Sequence, residues 1–199
     1  MTFRPLRPKL AEPIIEEKNT ANESPEWLRK SFDDFETADV VFVVEGKKIH
    51  AHKAILIMRC DVFRTIFQGD WTESNESEQI IEHQSYGAFY AFLKYFYTDD
   101  IDLPPDSALE LLDLAHFYHL PVLQEKCGQL VKRGVTVENA AAILEKAIYY
   151  ESKDLEEYVF QFCLDHMTGV ISSDGFKKLD KDTVSEFLKR AAQYGAFKN

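Results

Sequence analysis

The amino-acid sequence predicts an α+β domain, a small mixed sheet with flanking helices, followed by an all-helical extension. Three observations predict it. A β-branched run from Val40 to Val44 leads through Glu45-Gly46 into Lys47 to His50, which reads as a strand, a two-residue turn and a second strand. From Ala51 onward apolar residues recur at helical spacing, broken only by a brief strand signal at Ile80-Ile81. After Gly134 the pattern is helical alone, so strands and helices are segregated along the chain rather than alternating.

The elements follow in order. Residues Met1 to Ser24 lack apolar periodicity and read as a flexible tail; their Pro5-Leu6-Arg7-Pro8 is a PxxP of the kind that proline-rich tails carry by chance. Ser24-Pro25 suits a helix start, opening a short helix with Trp27, Leu28 and Phe32. After the hairpin, two short amphipathic helices are expected to bury Ile55, Met58, Val62, Ile66 and Phe67. Gly69 to Glu82 holds five acids and no base and reads as a surface loop entering the Ile80-Ile81 strand. Seven aromatics between Tyr86 and Tyr97 are too many for one face, so that helix should be buried nearly all round and form the centre of the domain. Leu103-Pro104-Pro105 breaks the chain, Ser107 and Glu110 fit a capping box, and Leu109, Leu112, Leu114 and Phe117 continue at helical spacing. Pro121 starts a further helix that Gly134 ends at C′. Beyond it Thr136, Ser152 and the pair Thr183/Glu186 are candidate caps for three more helices, the last ended by Gly195. The expected division is a tail over 1–24, a mixed domain over 25–134 and a helical extension over 135–199.

Composition excludes several functions. The 199 residues carry 34 Asp+Glu against 23 Lys+Arg, a net charge of −11, and have no run of five Lys or Arg, which opposes phosphate contacts and so disfavours nucleic acid. Apolar stretches such as Val40 to Val44 fall far short of the roughly 20 residues that span a bilayer. The N-terminal MTFRPLRPKL has no apolar core of a signal peptide, and three scattered cysteines, Cys60, Cys127 and Cys163, suit a reducing compartment; a cytosolic or nuclear setting is expected. His50-Ala51-His52 and His116-x-x-His119 have metal-like spacing, but no further ligands accompany them at a recognisable distance, and structural roles are expected. There is no GxSxG elbow and no phosphate-cradling glycine loop, so neither an enzyme nor a cofactor is expected.

Four stretches resemble a BTB/POZ domain followed by a BACK-type helical region: ADVVFVVEGKKIHAHKAIL, YFYTDDIDL, LLDLAHFYHLPVLQEKC and VTVENAAAILEKAIYYESKDLEEYVFQFCLDH. Their order and spacing cover the chain from about Pro25 onward. EGKKIHAHK and the terminal GAFKN look closest to proteins that join a regulator-of-chromosome-condensation-like propeller to a BTB domain, with no propeller here. The resemblance implies two activities. One is homodimerisation, or pairing with another BTB protein, through Trp27, Leu28, Phe32 and Val40, with Asp39 and Lys53 as a charged pair at the dimer interface. The other is docking of the cullin-3 N-terminal domain, which makes such proteins adaptors that bring substrates to a ubiquitin ligase. An apolar-x-Glu pattern serves that docking, and Trp71-Thr72-Glu73 matches it, with Tyr97 at a position that lines the same groove. The alternative is an oligomerisation scaffold without cullin contact.

Overall fold

The computed structural model describes residues 24–68 and 78–195. The order is α1 (Glu26–Lys30), β1 (Val40–Val44), β2 (Lys47–Ala51), α2 (Lys53–Arg59), α3 (Asp61–Gln68), β3 (Glu78–Ile81), α4 (Tyr86–Thr98), a 3-10 turn at Pro105–Ser107, then α5 (Ala108–Phe117) and α6 (Pro121–Lys132). The extension adds α7 (Ala140–Tyr149), α8 (Lys153–Asp165), α9 (Met167–Ser172), α10 (Asp174–Lys177) and α11 (Lys181–Gln193). This is the α+β arrangement expected from the sequence.

The sheet has the strand order β2-β1-β3, with β1 antiparallel to β2 and parallel to β3. Glu45 and Gly46 have φ of 49° and 73°, the two left-handed residues of a type I′ turn, whose twist matches that of the strands it joins. The antiparallel register that follows sets Val44 opposite Lys47 and Val40 opposite Ala51. Val40, Phe42 and Val44 therefore face the core with Ile49 and Ala51, while Val41 and Val43 lie on the other, half-covered face. The parallel pairing of β1 with β3 requires a crossover, and α2 and α3 lie within it.

Helix α4 is the centre of the packing. Ala88, Phe89, Ala91, Phe92, Leu93, Tyr95, Phe96 and Tyr97 are all buried. Phe63 of α3 lies 5.8 Å from Phe96 and 4.8 Å from Tyr118, and Phe42 of β1 lies 5.4 Å from Phe89, distances at which tilted and edge-on rings attract beyond their area burial. Desolvation pushes the Tyr118 hydroxyl up to about 12.

The C-terminus of α4 is closed by Asp99, which takes the left-handed conformation at φ 58°. Arg59 donates to the Phe96 carbonyl at 2.7 Å and forms an ion pair with the Asp99 carboxylate, Ser24 Oγ donates to that carboxylate at 2.5 Å, and Lys126 Nζ donates to the Asp99 carbonyl at 2.5 Å. One residue thus ties α2, α4, α6 and Ser24 before α1 together. Burial works to raise the Asp99 carboxyl, but the hydrogen bonds from Arg59 and Ser24 outweigh it and hold the group below the usual carboxylate range.

Several local expectations are corrected. Ser107 makes no side-chain cap, because the 3-10 turn precedes α5, and Glu110 instead accepts from Ser85 Oγ. Ser152 does not cap α8 with its side chain. Helix α11 starts earlier than Thr183: Asp180 is its cap, accepting from the Asp182 and Thr183 N–H groups at 2.8 and 2.9 Å. Thr136 and Asn139 bond reciprocally at 2.7 and 3.3 Å in the turn before α7, whose N-cap is Asn139 and not Thr136. Gly134 occupies C′ after α6 and Gly195 does so after α11, the latter at φ 79°. Met58 is 71% exposed, since Leu56 and Phe63 are the residues that α2 and α3 bury fully, and Phe117 is 67% exposed.

The extension continues the same core through Cys127, Val131, Ala140, Leu144 and Leu155. Polar bridges reinforce the joint. Lys146 Nζ reaches the two Asp113 oxygens at 2.8 and 2.6 Å, Tyr150 donates to Asp113 at 2.5 Å, and Gln129 and Lys132 both donate to Asp154, at 2.9 and 2.5 Å. Gly175 lets α10 approach the loop before α7, where a Cβ would stand 2.4 Å from the Glu138 carbonyl oxygen.

Asp99→Asn keeps a side chain that tolerates the left-handed backbone but removes the charge. A group whose folded pKa is depressed stabilises the fold above its unfolded value and loses that contribution as the pH falls through the folded one. Urea unfolding should therefore show the variant less stable than wild type at neutral pH, with the gap closing below about pH 4. A gap independent of pH would refute the assignment.

Candidate protein-interaction surfaces

The residues expected at a dimer interface occupy one end of the sheet and the short helix before it. Trp27 projects from α1 and is 69% exposed, whereas Leu28 and Phe32 turn inward, with the Phe32 ring 4.9 Å from Tyr90 and 5.1 Å from Tyr97. Phe35 is exposed near His50. Val40 is fully buried in the core of its own chain, so what β1 offers outward is Val41 and Val43, beside the exposed Ile80 of β3 and under the Lys48–Glu78 ion pair. Asp39 and Lys53 are adjacent, but through the main chain: Asp39 Oδ1 accepts from the Lys53 backbone N–H at 2.7 Å, which satisfies an open donor at the start of α2. The Lys53 ammonium lies 5.3 Å over the Phe67 ring.

Trp71 and Glu73 lie outside the described residues. Tyr97 is fully buried; its hydroxyl oxygen accepts from the His52 N–H at 2.9 Å and lies 3.1 Å from His52 Nδ1. Desolvation pushes the Tyr97 hydroxyl up to about 12. Its ring has no surface to share with a groove, and it acts from behind by fixing the strand-to-helix junction at His52. His52 Nε2 in turn lies 2.9 Å from Thr37 Oγ1, and Asp33 accepts from the His50 N–H at 2.8 Å. Among the described residues no group of three or more His, Cys, Asp or Glu is placed to hold a metal ion, and no helix is long and apolar enough to cross a membrane. The three cysteines are buried, and burial pushes the Cys127 and Cys163 thiols up to about 12.

A cleft of about 600 Å³ lies where the mixed domain meets the extension. Its walls include Ile81 and Glu82 from β3 and just beyond, Phe117 and His119 from the turn between α5 and α6, and Tyr149 and Tyr150 from the end of α7. Phe117 and Tyr149 are 67% and 72% exposed. The two rings form an exposed aromatic pair on the wall of the cleft. Neighbouring rings contact both: Phe117 lies 5.2 Å from Tyr118 and Tyr149 lies 5.8 Å from His116, whose ring is tilted 4.6 Å from Tyr150, and the Tyr150 hydroxyl donates to Asp113. Burial, then the bond to Asp113, raises the Tyr150 hydroxyl above its ordinary range. His119 takes the left-handed conformation at φ 53° in the turn between α5 and α6. Helical spacing puts Phe117 on α5 without telling which face it joins and gives Tyr149 no role; the available signal was the aromatic pair at the end of α7, Tyr149-Tyr150.

The described residues thus form a three-stranded mixed sheet packed on an aromatic helix, with exposed apolar side chains at the sheet and beside the cleft. Residues 28–135 match the BTB/POZ domain family, and the chain belongs to it. It is 30% identical over 184 residues to BTB/POZ domain-containing protein 6 of Mus musculus, covering 85% of this chain and 34% of that protein. The Homo sapiens protein of the same name is 30% identical over 188 residues, covering 87% and 35%. BTB/POZ domain-containing protein 3 of Callithrix jacchus is 29% identical over 182 residues, covering 89% and 33%. The chain thus spans about a third of the length of these curated relatives. BTB domains associate with one another and with other proteins, and this chain is such a module.

Because the Asp39 bond is to main chain, it does not depend on the Lys53 side chain. Asp39→Ala should lower stability by about 1 kcal/mol, the typical loss of a side-chain cap. Differential scanning calorimetry of Asp39→Ala and Asp39→Asn checks this: Asn keeps an acceptor oxygen and should lose less, and an equal loss for both would contradict it.

Proposed function

We propose that this chain is a dimeric BTB adaptor that docks the cullin-3 N-terminal domain and so brings a protein substrate to a ubiquitin ligase. The observation that carries the reading is the aromatic cleft. Its wall includes Ile81 and Glu82 at the end of β3, the strand that follows Trp71-Thr72-Glu73 in the sequence, and faces the Phe117 and Tyr149 rings. A helix from a partner laid in that cleft would bury apolar side chains against the Phe117 and Tyr149 rings, as helix-in-groove recognition requires. The BACK-like extension contributes Tyr149, which gives it a direct part in docking. Trp27, Phe35 and the outer sheet residues Val41, Val43 and Ile80 supply apolar surface for the second copy.

The alternative, a BTB oligomerisation scaffold without cullin contact, draws on that same dimer surface and leaves the cleft unused. One titration separates the two. Calorimetry of the chain with the cullin-3 N-terminal domain should give micromolar or tighter binding. Trp71→Ala/Glu73→Lys and, separately, Phe117→Ala/Tyr149→Ala should each weaken it by about tenfold or more, as loss of a buried aromatic anchor does, while the dimer persists in light scattering. No binding by wild type with an intact dimer establishes the scaffold instead, and binding unchanged by both variants removes the site assignment.

A further inference from the structure

The helical extension contains a second hollow that shares no residue with the cleft. It measures about 460 Å³ and lies among α7, α8, α10 and α11. That size falls within the range of ordinary ligand pockets, roughly 300 to 1,000 Å³. The floor is apolar: Leu144, Phe160, Cys163, Phe176 and Phe187 line it, with Ile148 exposed at one lip. The rings are set edge-on, Phe187 lying 5.7 Å from Phe160 and 5.4 Å from Phe176, so the walls are braced against each other and do not close over the space.

The rim is acidic. Glu156, Asp182 and Glu186 stand around the mouth with one cation, Arg190. That cation is already committed, bonded to Glu156 at 2.5 Å and to Glu157 at 2.6 Å, with its guanidinium 4.0 Å over the Phe160 ring. Lys189 reaches Glu186 at 4.0 Å from the outside, a solvent-exposed pair that offers little compensation. The rim therefore presents net negative charge above an apolar floor, and the whole chain, at −11, has the same sign. An acidic small molecule or an acidic segment is disfavoured there, and a bare cation gains nothing from the floor.

We infer that this hollow is a docking site for a partner segment that inserts apolar side chains between lysines or arginines, with Asp182 and Glu186 meeting the flanking cations and Phe160, Phe176 and Phe187 receiving the anchors. The site stands apart from cullin docking and would give the extension a recognition role of its own. Its charges are exposed, so they steer and select while the floor supplies affinity, and binding weakens as salt is raised.

The test uses the full chain and a fluorescein-labelled peptide with a central Leu-Phe-Leu between pairs of lysines, followed by fluorescence anisotropy, with a glutamate-flanked peptide as control. Saturable binding of the lysine peptide is expected, with the control weaker by about tenfold or more. Asp182→Lys/Glu186→Lys changes two exposed positions, leaves the core intact and should weaken binding by a similar factor. Ala141→Met, which fills the hollow from α7, should abolish it while the circular dichroism spectrum is retained. The Phe117→Ala/Tyr149→Ala chain should bind as wild type does. Absence of binding to wild type, equal binding of the two peptides, insensitivity to the rim variant, or loss on altering the cleft would each overturn the inference, and none of these outcomes depends on whether cullin-3 binds.

Discussion

The burial of α4 on nearly every side is the constraint on which the rest of this structure depends. A helix with Phe89, Phe92, Tyr95, Phe96 and Tyr97 in little more than two turns has no face to give to solvent, so it needs cover from all directions. The sheet covers it through Phe42, α3 through Phe63, the segment after α1 through Phe32, and α5 with the residue after it through Tyr118. Each covering element is short and would be marginal alone. Their mutual dependence on one helix explains why so small a sheet is stable. It also explains why Asp99 gathers so many bonds: a fully enclosed helix must end somewhere polar, and its last carbonyls need donors that solvent cannot supply.

What was legible in the sequence was what is decided locally. The hairpin rests on Glu45-Gly46 taking left-handed φ, the start of α6 on Pro121, and the enclosure of α4 on aromatic density alone. The errors have one origin. Periodicity tells which residues share a face, yet not which face is covered, and so Met58 was placed inside when its helix turns it outward. The caps at Ser107, Ser152 and Thr183 failed because the chain entered each helix by another route, a 3-10 turn before α5 and an aspartate three residues earlier at α11. The Asp39–Lys53 proximity was anticipated, but the group that Asp39 grips belongs to the backbone, which no side-chain pattern reveals.

The interaction surfaces were less legible still. The cleft draws on β3, the α5–α6 turn and α7, segments distant in sequence that meet only because α5 and α6 fold back on α4 and α7 then packs on α5. Tyr97, assigned to a groove by resemblance, is a support for His52 and lies wholly inside. Tyr149 became visible only once Asp113 was seen to fix Tyr150 next to it, freeing its neighbour to stand out.

The joint between α6 and the extension has a mechanical meaning. Asp113 and Asp154 each take two donors from across the boundary, and the apolar core runs through it without a gap. Such a joint behaves as a weld and not as a hinge. Position is then transmitted as through a lever: the direction in which α11 leaves the molecule is set by the orientation of α6, and anything held by the far helices keeps a fixed bearing relative to whatever is held at the sheet.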